Sequence, residues 1–267
     1  MVGTAGQKRV PASFLKSFLI PVPSLSEQRA IAAVLSSWDQ AIIQVRDLVK
    51  KRSLRKKTLS QKLLGRNSAL AEQEIPQVRR LGEVVMPVSR PVQKPKNPYI
   101  SIGLRSHGKG TFQKVVEEPE KVMMDTLYRV EGGDLVVNIT FAWEGAIAFA
   151  SEKDSGALVS HRFPTYRLKD TEVDGGFFRN LIQTQRFVWD LGLISPGGAG
   201  RNRVMNQKDF LKLKVHVPKL EVQKRVGEIL ETADDEVRLC EEYLMALQRQ
   251  KRGLMQKLLT GEVRVKL

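Results

Sequence analysis

The sequence predicts an α+β protein in which a mixed α/β domain is carried between two long helices pairing as an antiparallel coiled coil. Three observations predict it: a long-range repeat, a three-and-four apolar rhythm through both copies of that repeat, and a middle segment of different texture. Pro23, Leu25, Gln28, Arg29, Ile31, Val34 and Leu35 recur at a constant offset of 195 residues as Pro218, Leu220, Gln223, Lys224, Val226, Ile229 and Leu230. The same offset joins Lys56, Lys57, Leu59, Gln61, Lys62, Leu63 and Leu64 to Lys251, Arg252, Leu254, Gln256, Lys257, Leu258 and Leu259. Repetition on this scale sets the architecture before any motif does.

Residues 1–22 read as the remnant end of a preceding unit. Ala5, Gly6, Arg9, Val10, Phe14, Leu15 and Lys16 echo Ala199, Gly200, Arg203, Val204, Phe210, Leu211 and Lys212, so one domain of the middle type is expected before Met1. Residues 23–66 read as the first long helix. Pro23 precedes it, Ser24 with Glu27 three residues on forms a capping box, and Gly65 stops it. Leu35, Trp38, Ile42, Val45 and Val49 lie on one face. Arg52 and Lys56 then interrupt the seam before Leu59 and Leu63 resume it.

Residues 67–217 hold Pro, Gly and short β-branched runs. Strands are predicted at 84–88, 99–103, 135–140, 146–150, 163–168 and 213–217, with turns at Glu131-Gly132-Gly133-Asp134 and Asp174-Gly175-Gly176. One helix is predicted over 177–191 with Leu181, Gln185, Val188 and Leu191 on its buried face, and Trp143 and Trp189 are expected in the core.

Residues 218–267 read as the second long helix, opening with Glu221 near its positive end and closing at Gly261. Leu230, Ala233, Val237, Cys240 and Leu244 repeat the seam of the first. A helix of about 40 residues is a rod of roughly 60 Å, which exposes its apolar stripe unless a partner covers it. The first rod delivers the chain to the middle segment and the second starts from it, so the two run antiparallel. Charge agrees: residues 24–66 carry ten Lys and Arg with three Asp and Glu, residues 220–261 seven with eight.

Over the whole chain, 44 Lys and Arg against 29 Asp and Glu give +15, which makes nucleic acid the first partner class and an acidic or lipid surface the second. The single cysteine, Cys240, excludes an intramolecular disulfide framework and is read as a seam residue. With no secretory leader read at the start, a cytoplasmic chain is expected. No apolar run approaches the roughly 18 residues of a membrane span, so no membrane partner is expected.

The sharpest cluster is Ser195-Pro196-Gly197-Gly198-Ala199-Gly200-Arg201-Asn202-Arg203. Its glycines, Gly197 and Gly198 among them, allow close approach to phosphates, while Arg201, Asn202 and Arg203 are side chains suited to base edges in a major groove. A second loop, Arg105-Ser106-His107-Gly108-Lys109-Gly110, offers Arg105, His107 and Lys109 for the same work. Residues 103–109 also fit a phosphate-binding loop, but Gly110 stands where Ser or Thr is needed and no suitable helix follows, so nucleotide hydrolysis is excluded. Asn97-Pro98-Tyr99 lacks the second proline of the adenine-methyltransferase motif and is read as a turn into a strand. His107, His161 and His216 are too scattered for a metal site, and no catalytic residue is assigned.

Taken together these residues resemble the specificity subunit of type I restriction-modification systems. The resemblance is carried by Phe18-Leu19-Ile20-Pro21-Val22-Pro23-Ser24-Leu25-Ser26-Glu27-Gln28-Arg29-Ala30-Ile31 and by Lys56-Lys57-Thr58-Leu59-Ser60-Gln61-Lys62-Leu63-Leu64. Further support comes from residues 75–84, from Gly133-Asp134-Leu135-Val136-Val137-Asn138 and from residues 197–204; the second copy departs at Val222-Gln223, where the family shows Glu-Gln. The resemblance implies that 67–217 is a target-recognition domain and that the subunit is non-catalytic, without cofactor or metal. It implies double-stranded DNA as ligand, methyltransferase subunits docked on the helices, and restriction and motor subunits in the full complex. In that family two recognition domains at opposite ends of the helices read a split site. With one such domain and a remnant, this chain resembles the C-terminal portion, and a homodimer is an expected way to restore the second half. The competing expectation is a coiled-coil adaptor that binds protein only.

Overall fold

The computed structural model describes residues 10–65, 77–198 and 203–265. Two helices come first, α1 (Ala12–Ser17) and α2 (Leu25–Leu64). Strand β1 (Gln77–Arg80), the short helix α3 (Leu81–Val84), β2 (Val85–Val88) and β3 (Pro91–Gln93) follow. The hairpin of β4 (Tyr99–Leu104) and β5 (Thr111–Val116) precedes β6 (Thr126–Arg129), β7 (Leu135–Val137), β8 (Ile147–Phe149), β9 (Leu158–Val159) and β10 (Thr165–Leu168). Then come α4 (Gly175–Leu181), α5 (Gln185–Leu193), α6 (Gln207–Lys212), β11 (Lys214–Val217) and α7 (Leu220–Thr260). The described residues divide into two compact units, one holding those up to Ser53 and from Glu236 onward, the other Leu54–Asp235.

In the first unit α2 and α7 run antiparallel, as the repeat predicts. Ion pairs link Glu27 to Arg264 at 2.5 Å, Asp39 to Lys251 at 2.5 Å and Arg52 to Glu236 at 3.0 Å, the numbers rising along one helix as they fall along the other. Between these pairs Ile31, Ile42, Leu247 and Leu258 are buried. The polar break that the sequence places in the first seam turns out to lie at the interface: Arg52 meets Glu236 here, and in the second unit Lys56 meets Asp234.

The second unit is built on three sheets. Strand β1 pairs with β11; a four-stranded sheet runs β2-β10-β7-β8; a five-stranded sheet runs β3-β6-β9-β4-β5, with only β4 and β9 parallel. The alternation of a pleated strand divides β7 between two cores. Leu135 and Val137 join Tyr166, Phe178, Leu191 and Phe210 under α3–α6, with Val226 and Leu230 of α7 and Leu59 and Leu63 of α2 against the same core. Val136 faces the other way, onto Ile102, Leu104, Val130 and Val159. Asp134, fully buried, fixes the entry to β7: its carboxylate accepts from Arg90 at 2.6 Å, Arg167 at 2.7 Å and the Glu131 N–H at 2.9 Å. The Gly133 it follows has φ +79°, a conformation that glycine adopts without cost.

Three expectations are corrected. The helix predicted over 177–191 is two helices, because Thr184 is extended and its Oγ1 caps α5 by accepting from the Phe187 N–H at 3.2 Å. A hydroxyl that caps a new helix does not continue the old one. Trp189 is 66% exposed rather than in the core. Strands β1, β3, β5, β6 and β9 had no predicted counterpart; β5, Thr-Phe-Gln-Lys-Val-Val, is exposed along most of its length and so shows no apolar alternation.

Candidate nucleic-acid interface

The β4–β5 hairpin carries the loop at 105–110, and its tip is bent by three left-handed residues, His107 at φ +62°, Gly108 at +65° and Gly110 at +81°. This geometry is held by neighbours. The His107 N–H donates to the Glu144 carbonyl at 2.7 Å, the Gly108 N–H to the Gly145 carbonyl at 3.0 Å, and Ser106 Oγ to Glu144 Oε2 at 2.7 Å. Glu144 closes a single 3₁₀ turn, Ala142–Glu144, that also carries Trp143. A hairpin tip followed by a strand is not a phosphate-binding loop, as the missing Ser or Thr predicts.

The second loop approaches the same place from α5. Ser195 is buried, its Oγ donating to the Leu191 carbonyl at 2.7 Å. Arg203 closes the loop from the far side, Nε donating to the Ser195 carbonyl at 3.0 Å and Nη2 to the Gly192 carbonyl at 2.8 Å, with its guanidinium 5.2 Å from the centroid of the Trp143 ring. Gly197 and Gly198 are exposed; Arg201 and Asn202 lie outside the described residues.

An open cleft of about 560 Å³ lies between these elements. His107 and Gly108 line it from the hairpin, Trp143 and Glu144 from the 3₁₀ turn, and Arg203 from the glycine-rich loop. The remaining wall is the start and outer face of α5, with Gln183, Gln185, Val188 and Trp189. Two loops read separately in the sequence are thus brought together. Arg105 and Lys109 are exposed beside the cleft, and Arg105 donates to the Thr111 carbonyl at 2.5 Å while lying over Phe112. The hairpin is tied down by Asp154. Burial alone would raise its pKa, but bonds from the Ser151 N–H and Oγ, Thr111 Oγ1 and Gln113 Nε2 outweigh that and hold it below the usual carboxylate range.

Sequence reasoning missed Gln183, and it placed Gln185 on a buried helix face and Trp189 in the core, whereas both are exposed on the cleft wall. Amides flanking a threonine carry no motif, and the only available signal was Thr184 as a helix cap inside an apolar rhythm. The seam residues fall on the helices as follows: Ile42, Leu230 and Ala233 are buried, and Leu35, Trp38, Val45, Val49, Val237, Cys240 and Leu244 are half-buried among exposed neighbours. Among the described residues no group of His, Cys, Asp and Glu has metal-binding geometry, and no helix is long and apolar enough to cross a membrane.

The cleft belongs to a mixed α/β unit that includes the ends of both long helices. Residues 77–249 match the type I restriction modification DNA specificity domain, more than half of the chain, and the chain belongs to that family. It is 24% identical over 282 residues to the type I restriction enzyme MjaVIII specificity subunit of Methanocaldococcus jannaschii, covering 98% of this chain and 66% of that protein. A second specificity-subunit relative from the same organism is 24% identical over 279 residues, covering 97% of this chain and 63% of the relative. The chain therefore spans a little under two thirds of the length of these relatives. The HsdS subunit from Thermoanaerobacter tengcongensis superposes with a TM-score of 0.54 at 18% identity, over 98% of this chain and 65% of that one. The type I restriction-modification S subunit from M. genitalium gives 0.57 at 17%, over 88% and 61%. At these identities the likeness is one of fold.

Proposed function

We propose that this chain reads duplex DNA for a type I restriction-modification assembly and is itself non-catalytic, working in the cytoplasm. The observation that carries the reading is the convergence of the hairpin loop and the glycine-rich loop on one cleft, where cations, exposed glycine backbone, amides and indoles stand together. These groups position phosphates and read base edges. The recognition domain is read as residues 67–217, with Arg105, His107, Lys109, Gly197, Gly198, Arg201, Asn202 and Arg203 as its DNA contacts.

The paired helices, residues 23–66 and 218–267, serve in this reading as the dock for methyltransferase subunits, which supply the chemistry. Restriction and motor subunits join for cleavage. Residues 10–22 present Phe14, Phe18, Ile20 and Val22 to solvent, and in this reading residues 1–22 are the remnant on which a second recognition domain sits, carried by another copy of the chain or by a longer chain, so that the target is bipartite.

Binding of randomised and selected duplexes by the purified chain, measured across a salt series, tests the reading. Affinity should fall steeply with salt, Lys109→Ala should weaken all duplexes alike, and Arg201→Ala should weaken the selected duplex more than random DNA. Affinity indifferent to salt and sequence would establish a protein-binding adaptor instead.

A further inference from the structure

We propose that Gln183 and Gln185 are specificity-determining residues that read an A·T base pair at the cleft, with Trp189 against the thymine methyl group. The proposal rests on the DNA-reading function above and names what the cleft reads.

The break between α4 and α5 makes the arrangement. Thr184 is locked in place, its Oγ1 donating to the Leu181 carbonyl at 2.7 Å and accepting from the Phe187 N–H at 3.2 Å. The glutamines on either side of it both line the cleft and are exposed. Gly108 lets Gln183 approach: a Cβ there would stand 3.1 Å from Gln183 Cγ, on a residue already at φ +65°. The hairpin therefore packs against the side chain of Gln183 at Gly108. Neither glutamine amide has a hydrogen-bonding partner among the described residues.

An amide offers one acceptor and an NH₂ donor at fixed spacing, which matches the adenine N6 donor and N7 acceptor in the major groove. Beside the amides the cleft wall is apolar. Val188, Trp189 and Leu193 line it, and Trp189 and Leu193 are each 66% exposed. A methyl-bearing base fits such a wall, and thymine alone among the four presents one in the major groove. The other strong reader in the cleft, Arg203, has Nε and Nη2 engaged by backbone carbonyls and its face on Trp143, so it is not presented as a fork to guanine. Amide fork, apolar wall and engaged arginine all favour A·T over G·C.

The test is selection from a randomised duplex pool by the full chain, followed by sequencing. The unaltered chain should enrich a motif containing an A·T position whose preference falls on the order of tenfold in the Gln183→Ala, Gln185→Ala double variant. The salt slope of random-duplex binding should stay as it was, because a neutral amide releases no counterions, and any loss of random-duplex affinity should be far smaller than the loss of preference. Replacing that thymine by uracil, which deletes only the methyl group, should weaken the unaltered chain and leave Trp189→Ala unaffected. A double variant that enriches the same motif to the same degree overturns the proposal and leaves the DNA-reading function standing. Failure of the unaltered chain to enrich any motif overturns both.

Discussion

The two copies of the repeat begin with nearly the same residues and end in opposite environments. At the offset of 195, Ile20 and Val22 correspond to Val215 and Val217; the first pair is 66% and 72% exposed, the second 4% and 3%. Phe14, the echo of Phe210, is 50% exposed where Phe210 is fully buried. Local structure is nevertheless shared. Gln28 and Gln223 each donate through Nε2 to the carbonyl of the proline that precedes their helix, Pro23 and Pro218, both at 2.8 Å. The sequence of the repeat thus dictates how each helix starts, while burial is dictated by what packs on that start. In the second copy the core of the second unit does so. In the first the same apolar set faces solvent.

Paired substitutions measure this difference directly. Phe210→Ala should lower stability by about 3–5 kcal/mol, as expected for an aromatic lost from a closed core, and Phe14→Ala by no more than about 0.5 kcal/mol. Chemical denaturation of the two variants would show it, and equal losses would mean that the first copy is covered after all. Next in size is the glutamine pair. Gln223, itself buried, also accepts from the Asp174 N–H at 2.9 Å and donates to the Glu172 carbonyl at 3.2 Å, so Gln223→Ala strands half-buried backbone groups and leaves a cavity. A loss of about 2–4 kcal/mol is expected, against under about 0.5 kcal/mol for the exposed Gln28→Ala.

The same comparison explains what the sequence could disclose. The helix pair was legible because an apolar seam of period three to four leaves a mark on every turn and because the two helices carry opposite charge bias; the pairing of Arg52 and Lys56 with Glu236 and Asp234 was not, since in the sequence they read only as a break in the seam. The main strands of the core were legible by a different mark, a continuous apolar run: Leu135, Val136 and Val137 are buried on both faces. The cleft was legible only in part. Its glycine and arginine loops announce themselves by composition, but their meeting depends on backbone bonds from His107 and Gly108 to the Glu144 and Gly145 carbonyls, which no side-chain pattern encodes. The break at Thr184 was hidden because Leu181, Val188 and Leu191 keep a helical rhythm across it.

A third pair reverses the ordinary expectation from helix propensity. Gly227 of α7 corresponds to Ala32 of α2. A Cβ on Gly227 would lie 2.7 Å from Asp174 Oδ1 and 2.9 Å from the Phe177 N, the capping contact that starts α4. Alanine is the better helix former by about 1 kcal/mol, yet Gly227→Ala should destabilise, by about 1–3 kcal/mol, because the cap must give way. Ala32→Gly should cost about 0.5–1 kcal/mol from propensity alone. The contrast also bears on assembly: a domain seated on the first copy must accommodate the Ala32 methyl, so a copy of this chain's own domain would need a looser contact there. Thermal melts of both variants decide it; a more stable Gly227→Ala would show that α4 yields easily.

The smallest effect expected concerns Glu27, where the first copy has a buried carboxylate and the second has Val222. Glu27 pairs with Arg264 at 2.5 Å, and Arg264 is itself largely exposed. Removing one partner of a buried pair leaves the other uncompensated, whereas replacing the buried charge by an apolar residue removes the desolvation cost along with the attraction. Arg264→Ala should therefore destabilise by about 1 kcal/mol, limited by the exposure of the arginine. Glu27→Val, which makes the first copy match the second, should be neutral or stabilising by up to about 1 kcal/mol, and Arg264→Ala should then cost almost nothing in its background. Urea denaturation of the two single variants and the double variant closes the cycle. If Glu27→Val instead lost as much as Arg264→Ala, the pair would be a net contributor to stability, and the two copies would differ in how they hold their helix starts as well as in what covers them.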